Sequence, residues 1–301
     1  MEFLKKLYSR LFPASKHQLK KGLSEIKDGQ KNMLNELNKK IEEVTRTNRA
    51  LHDKLSQSVD VKYEKLGESL QLARKEQLLN TRVGKECVWA DIFHDTINEE
   101  SWLTRRNFSP GRWAIGYPAL YAMYRVLNEI RPVNILELGL GQSTNMISQY
   151  VAAVESCNHI VIEHDEKWIE FFKNNHELTE KSKILQKDWS TETFEGVEVR
   201  QYKDFSEGTE GKFDFIFIDG PLGGDMPEYA RVDVARIMPD CLADNFVIII
   251  DDYCRSGEQH TVNYMRKVLR EHNIDFKEGQ YRGEKDLLLI CSPTNSFLTS
   301  M

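Results

Sequence analysis

From Pro132 onward, short apolar runs alternate with stretches whose apolar residues recur at helical spacing. The runs predict strands at Asn134–Leu138, His159–Glu163, Val197–Tyr202, Phe213–Ile218, Phe246–Ile250, Asp275–Gln280 and Asp286–Cys291. Helices are predicted at Ser143–Val154, Glu166–Asn175, Glu228–Leu242 and Glu258–Glu271. Strand and helix in alternation imply a parallel sheet covered on both faces, an α/β, Rossmann-like architecture. The last two strands are separated only by a turn at Arg282–Gly283, so they must pair antiparallel. The pattern of Ser182–Glu195 leaves open an extra strand or a loop.

The first 131 residues read differently. Phe3, Leu4, Leu7, Tyr8, Leu11 and Phe12 recur at helical spacing with Lys5, Lys6 and Arg10 between them, giving a basic amphipathic segment over 1–15. Such a segment suits peripheral contact with a membrane interface, or packing on protein. Residues 16–80 follow heptads: Leu34, Ile41, Asn48 and Leu55 share one seam position, and Leu37, Val44, Leu51 and Ser58 the other. A phase slip near Met33–Leu37 joins the earlier set Leu19, Leu23, Ile26 and Met33 as a stutter. The expectation is an N-terminal α-helical coiled coil forming a homo-oligomer, with Asn48 fixing register; the alternative is one amphipathic helix lying on the C-terminal domain. Gly67 and the lapse of heptads after Lys62 predict a weaker coil there. Residues 81–131 bring many aromatics, among them Trp89, Phe93, Trp102 and Trp113, and a turn at Ser109–Trp113, as a helical lead-in to a domain at 132–301.

The net charge of −6 and pI of about 5.8 argue against a nucleic-acid binder, which would neutralise phosphates with Lys and Arg. Five scattered cysteines without a CxxC pair indicate a reduced, cytoplasmic setting, at most peripheral at the inner face of a membrane. No apolar stretch is long enough to span a bilayer, and no cleavage site marks a secretory signal.

The candidate chemistry begins at NILELGLGQST, Asn134–Thr144, where a strand breaks into glycines before a helix. This is the crevice in which doubly wound sheets bind ligands. Gly139 and Gly141 allow a sharp turn and close approach, and Ser143 or Thr144 can cap the helix. A dinucleotide fingerprint needs a third glycine where Thr144 stands. Glu137 would repel a pyrophosphate and attract an ammonium or hydroxyls, and Glu163, ending the next strand, suits a ribose diol. Asp219, Asp251 and Asp252 follow the ends of two further strands. Three converging carboxylates need a neutralising cation, for which Mg²⁺ or Mn²⁺ is suited.

Together these residues resemble the class I S-adenosylmethionine-dependent methyltransferases. ELGLG at Glu137–Gly141 resembles the family's first motif, Glu163 its ribose-binding acid, and FDFIFIDGP at Phe213–Pro221 its fourth strand. The resemblance implies S-adenosylmethionine as cofactor, with the Gly139–Gly141 loop and Ser143 at its methionine part, Asp204 near the adenine, and Asp219 touching it. The aspartates resemble those of metal-dependent O-methyltransferases of antibiotic sugars (the macrocin and novobiocin type), which implies a metal on Asp219, Asp251 and Asp252 and a sugar or glycan acceptor. The base expected two residues after Asp219 is replaced by Pro221, which leaves Asp219, Asp225 and His260 as catalytic candidates. Arg105, Arg106, Arg112 and Arg255 are further charged candidates near the mouth. An interaction protein built on the coiled coil is the alternative reading; a nicotinamide-dependent oxidoreductase is disfavoured by Glu137 and the absent glycine.

Overall fold

The computed structural model describes residues 1–11, 13–111 and 114–300, with residues 13–15 described in their backbone alone. Phe12, Arg112 and Trp113, singled out above, lie outside the described residues. The chain divides into two units, Met1–Lys75 and Glu76–Met301.

The first unit is helical. α1 spans Glu2–Leu11, and α2, Pro13–Thr96, begins with a proline, which its missing N–H makes suited to a first turn. The helix is uninterrupted through Gly67. Leu34, Leu37, Ile41, Val44, Leu51 and Leu55 are all at least half exposed, as are Phe3, Leu4 and Tyr8 of α1. No helix among the described residues is long and apolar enough to cross a membrane.

The second unit takes in the last turns of α2, where Trp89 and Phe93 are buried. It continues with α3 (Tyr117–Arg125), β1 (Asn134–Leu138), α4 (Gln142–Ala153), β2 (Asn158–Glu163), α5 (Glu166–Asn175) and β3 (Ser182–Gln186). β4 (Trp189–Phe194), β5 (Val197–Tyr202), β6 (Phe213–Ile218), α6 (Asp233–Ile237), β7 (Leu242–Ile250), α7 (Ser256–Glu271), β8 (Lys277–Arg282) and β9 (Asp286–Cys291) complete it. Seven strands form one sheet in the order β3-β2-β1-β6-β7-β9-β8, parallel except for β9, which runs antiparallel to β7 and β8.

Side-chain alternation divides the core. Ile135, Phe215, Phe217, Val247, Ile249, Leu287 and Leu289 face α3, α4 and the end of α2. Leu136, Leu138, Ile216, Ile218, Ile248, Ile250, Leu288 and Ile290 face α6 and α7. With both faces covered, the strands read as nearly continuous apolar runs rather than alternating ones.

Two expectations are corrected. The third strand of the sheet is Ser182–Gln186, paired parallel to β2, while Val197–Tyr202 lies outside the sheet in a hairpin with β4. The hairpin turns on Glu195 and Gly196, both at positive φ, the backbone that a two-residue turn between twisted strands requires. The helix expected over Glu228–Leu242 shortens to α6, because Pro239 has no N–H to continue it and Leu242 already belongs to β7.

Candidate functional site at the carboxyl edge of the sheet

The strand order reverses direction between β1 and β6, so the loops after these strands flank a crevice. The loop after β1 is held from every side. Gly139 N–H donates to Ile162 O (2.9 Å), Leu140 N–H to Glu163 Oε2 (3.0 Å) and Gly141 N–H to Thr144 Oγ1 (3.0 Å). Trp168 Nε1–H of α5 donates to Leu140 O at 2.7 Å. All three N–H groups of the turn are therefore engaged within the protein, and an anion there would have only the first-turn N–H groups of α4 to bind.

The two glycines have different reasons. Gly139 has φ +97°, and a Cβ there would meet the Asp219 carbonyl carbon at 3.1 Å. A Cβ on Gly220 would in turn come within 2.9 Å of Gly139 N. The turns after β1 and β6 thus pack backbone on backbone, which sets Asp219 beside the glycine loop. At Gly141 nothing among the described residues lies within 4 Å of where a Cβ would stand, which is room for a ligand. Ser143 is buried in the first turn of α4; the N-cap is Gly141, so neither Ser143 nor Thr144 takes the capping position expected of them, and Thr144, at the third helical position, instead accepts from Gly141 N–H.

Glu163 ends β2 and is nearly buried. Besides Leu140 N–H, its carboxylate accepts from His164 N–H (2.7 Å) and Asp165 N–H (3.0 Å), and His164 Nδ1 lies 2.7 Å away. Burial pushes the Glu163 carboxyl up, but the His164 contact and these backbone bonds outweigh it and hold it below the usual range. The same carboxylate raises His164 above the ordinary histidine value. Beside them opens a cleft of about 340 Å³ lined by His164, Trp189, Arg200, Leu222, Gly224 and Asp225.

Glu137 lies one residue inside the strand and is fully buried. Its Oε2 meets His159 Nε2 at 2.9 Å, and His159 Nδ1 meets Ser182 Oγ at 3.1 Å, a polar chain across β1, β2 and β3 that sequence reasoning missed. Among the described residues Glu137 Oε1 has no hydrogen-bond partner. The engaged N–H groups of the loop, the charged Glu163 beside it and the open space at Gly141 fit a phosphate-free nucleoside cofactor. Asp204 follows β5, so its expected place beside an adenine loses its footing. The residues after the sheet's third strand are Lys187, Asp188 and Trp189.

Across the crevice, Asp219, Asp251 and Asp252 do converge, each offering one oxygen within 4.8 Å of the others. Sequence reasoning missed what stands among them. Arg231, 4% exposed, places Nη2 3.0 Å from Asp219 Oδ1 and 3.0 Å from Asp252 Oδ2. Its Nη1 donates to Asp251 O (3.1 Å) and its Nε to Pro221 O (3.3 Å). Arg255 Nη1 lies 2.8 Å from Asp252 Oδ2, and Lys285 Nζ 3.7 Å from Asp251 Oδ2. A fourth acid, Glu258, is fully buried, 3.7 Å from Arg231 Nε and 3.6 Å from Arg255 Nη1. Burial disfavours the Arg231 charge, yet Asp219, Asp252, Glu258 and Asp251 more than restore it, and the group titrates above its ordinary value. Burial pushes Asp219 up to about 6 and Asp251 up to about 7.

Asp225 does not join this group. Arg200 grips it with two bonds of 2.8 Å while lying 4.8 Å from the Trp189 ring centre, and the contact holds the Asp225 carboxyl below its usual range. His260, half-buried on α7, packs against Tyr229. Of the arginines, Arg255 joins the cluster, whereas Arg105 and Arg106 donate to the carbonyls of Glu177, Leu103, Asn98 and Glu100.

No family model matches the chain, and no curated protein does. Solved structures do. The O-methyltransferase TomG from Streptomyces achromogenes, solved with SAM, is 11% identical over 69% of this chain and 89% of its own, with a TM-score of 0.42. The O-methyltransferase from Bacillus cereus, in complex with SAH, is 16% identical over 71% and 100%, with a TM-score of 0.41. An SAH-bound methyltransferase from Podospora anserina is 14% identical over 73% and 94%, with a TM-score of 0.38. By its strand order and its antiparallel terminal hairpin, the second unit has the seven-stranded sheet of the class I methyltransferase fold.

Proposed function

We propose that the protein is an S-adenosylmethionine-dependent O-methyltransferase acting on a sugar or glycan hydroxyl. The carrying observation is the loop Gly139–Gly141, whose N–H groups are all consumed within the protein, which has the Glu163 carboxylate on Leu140 N–H and the Asp219 main chain against Gly139, and in which Gly141 is open among the described residues. Such a site repels pyrophosphate and favours a cationic nucleoside, which disfavours a nicotinamide cofactor.

S-adenosylmethionine, when bound, supplies a methyl group made electrophilic by a sulfonium. Glu163 Oε2 accepts only from Leu140 N–H and keeps one acceptor position for a ribose hydroxyl, and the exposed face of Trp189 offers the neighbouring cleft a flat wall suited to a purine. Asp219 is the most exposed of the three aspartates and stands beside the glycine loop. With its pKa pushed up to about 6, it is suited to take the proton of the acceptor hydroxyl as the oxygen–methyl bond forms and the carbon–sulfur bond breaks. Asp225, held by Arg200, latches the loop after β6. The sugar class rests on the sequence resemblance.

Calorimetry with S-adenosylmethionine, followed by transfer of its labelled methyl to glycan extracts, tests this reading. Heat of binding and an alkali-stable label support it; absence of binding at saturation removes the enzyme and leaves an interaction protein. The exposed heptad seam of α2 is assigned to a second copy of the chain. Sedimentation of the full chain as an oligomer, and of a chain lacking residues 1–75 as a monomer, supports that pairing; a monomeric full chain overturns it.

A further inference from the structure

We infer that Arg231 takes the place of a divalent metal in the aspartate cluster, so that the site works with a built-in organic cation. Four carboxylates, Asp219, Asp251, Asp252 and Glu258, face three cations, Arg231, Arg255 and Lys285. The convergence that called for a cation is thus already compensated. A magnesium ion needs several oxygens at about 2.0–2.1 Å in an octahedron and keeps much of its water. Here one guanidinium nitrogen already lies 3.0 Å from an oxygen of each of two aspartates, and Arg255 approaches one of those oxygens as well.

Arg231 cannot yield its place cheaply. Besides the carboxylates it is tied to the carbonyls of Asp251 and Pro221, and it is buried, so swinging it out would leave four acids with only Arg255 and Lys285 to answer them and Asp219 with no cation in contact. The backbone points the same way. Arg231 and Asp252, the two ends of one ion pair, both have left-handed φ, +59° and +58°, a conformation that non-glycine residues adopt at a cost and keep where the surroundings demand it. Arg231 is fixed by the fold on the axis between the proposed base, Asp219, and Asp252. Arg231 is a positioning residue: it orients Asp219 and offsets the charge that gathers there.

This inference rests on the methyl-transfer reading only for its kinetic arm, because metal binding can be read directly. Mn²⁺ is titrated into the full-length protein and followed by electron paramagnetic resonance. The expected result is no bound Mn²⁺ that Asp251→Asn removes, and, where methyl transfer is measurable, a rate unchanged by EDTA. Arg231→Met removes the charge and keeps much of the volume, so it is expected to gain an Mn²⁺ site and to be stabilised against heat by Mn²⁺. Stoichiometric Mn²⁺ on the wild-type chain, lost in Asp251→Asn, overturns the inference, and does so even if Arg231→Met fails to fold. Failure to find any methyl acceptor would count against the proposed function while leaving the Mn²⁺ result to stand.

Discussion

Glu163 and Asp252 are both nearly buried acids at the carboxyl edge of one sheet, separated by β1, β6 and the ends of their own strands. Glu163 is compensated by the backbone: three N–H groups, two of them from the next two residues, with His164 alongside. Asp252 is compensated by side chains drawn from afar, Arg231 and Lys285 on different loops and Arg255 three residues on. The first arrangement leaves a carboxylate that is charged, oriented and able to accept from a ligand. The second leaves carboxylates whose charge is already answered. Acids of the same kind at the same edge thus have different partners to offer a guest.

The sharpest way to break this contrast is Arg231→Ala. Removing one partner from a buried ion network leaves uncompensated charge, so urea denaturation is expected to show a loss of about 3–5 kcal/mol. A loss under about 1 kcal/mol would mean that Asp219 and Asp252 find water or each other's protons instead. Glu163→Gln comes next. It removes charge-assisted bonds to the loop and, in the proposed function, to the ribose; an affinity loss for S-adenosylmethionine of about 1.5–3 kcal/mol, roughly tenfold to a hundredfold, is expected by calorimetry. Unchanged affinity would detach the ribose from Glu163.

The smallest effect separates the two compensations by pH. His164 has a raised pKa in the folded chain, so its contribution to stability is fully present below the ordinary histidine value of about 6.5 and is lost as pH rises through the folded value. Melting curves of the wild type and His164→Gln should therefore converge as the solution becomes alkaline. A difference that stays constant with pH would show that the imidazolium does not stabilise Glu163.

The legible parts of the molecule were the local ones. The apolar runs at β1, β2, β6, β7 and β9 announce a buried parallel sheet, and Glu163 can be found because it ends such a run. The short Ser182–Gln186 strand sits at the sheet edge with polar residues at both ends, so its pattern is weak, while the alternating Val197–Tyr202 looks more like a strand and is one, in another sheet. Pro239 was a readable stop for α6. Arg231 had no readable mark. It is one arginine in a loop, twenty-one residues before Asp252, and only folding brings them to 3.0 Å. His159 likewise looks like any residue opening a strand until Glu137 and Ser182 are placed on either side of it.

The contact between Gly139 and Gly220 also acts as a gauge. With no side chain on either contacting residue, the spacing between the glycine loop and Asp219 is set by bare main-chain thickness, which few substitutions elsewhere can change. Drift elsewhere on the surface can reshape the neighbouring cleft without moving that interval. In the proposed function, a new acceptor could be recruited by changing the loop around Leu222–Asp225, while the span between the glycine loop and Asp219 stays as it was.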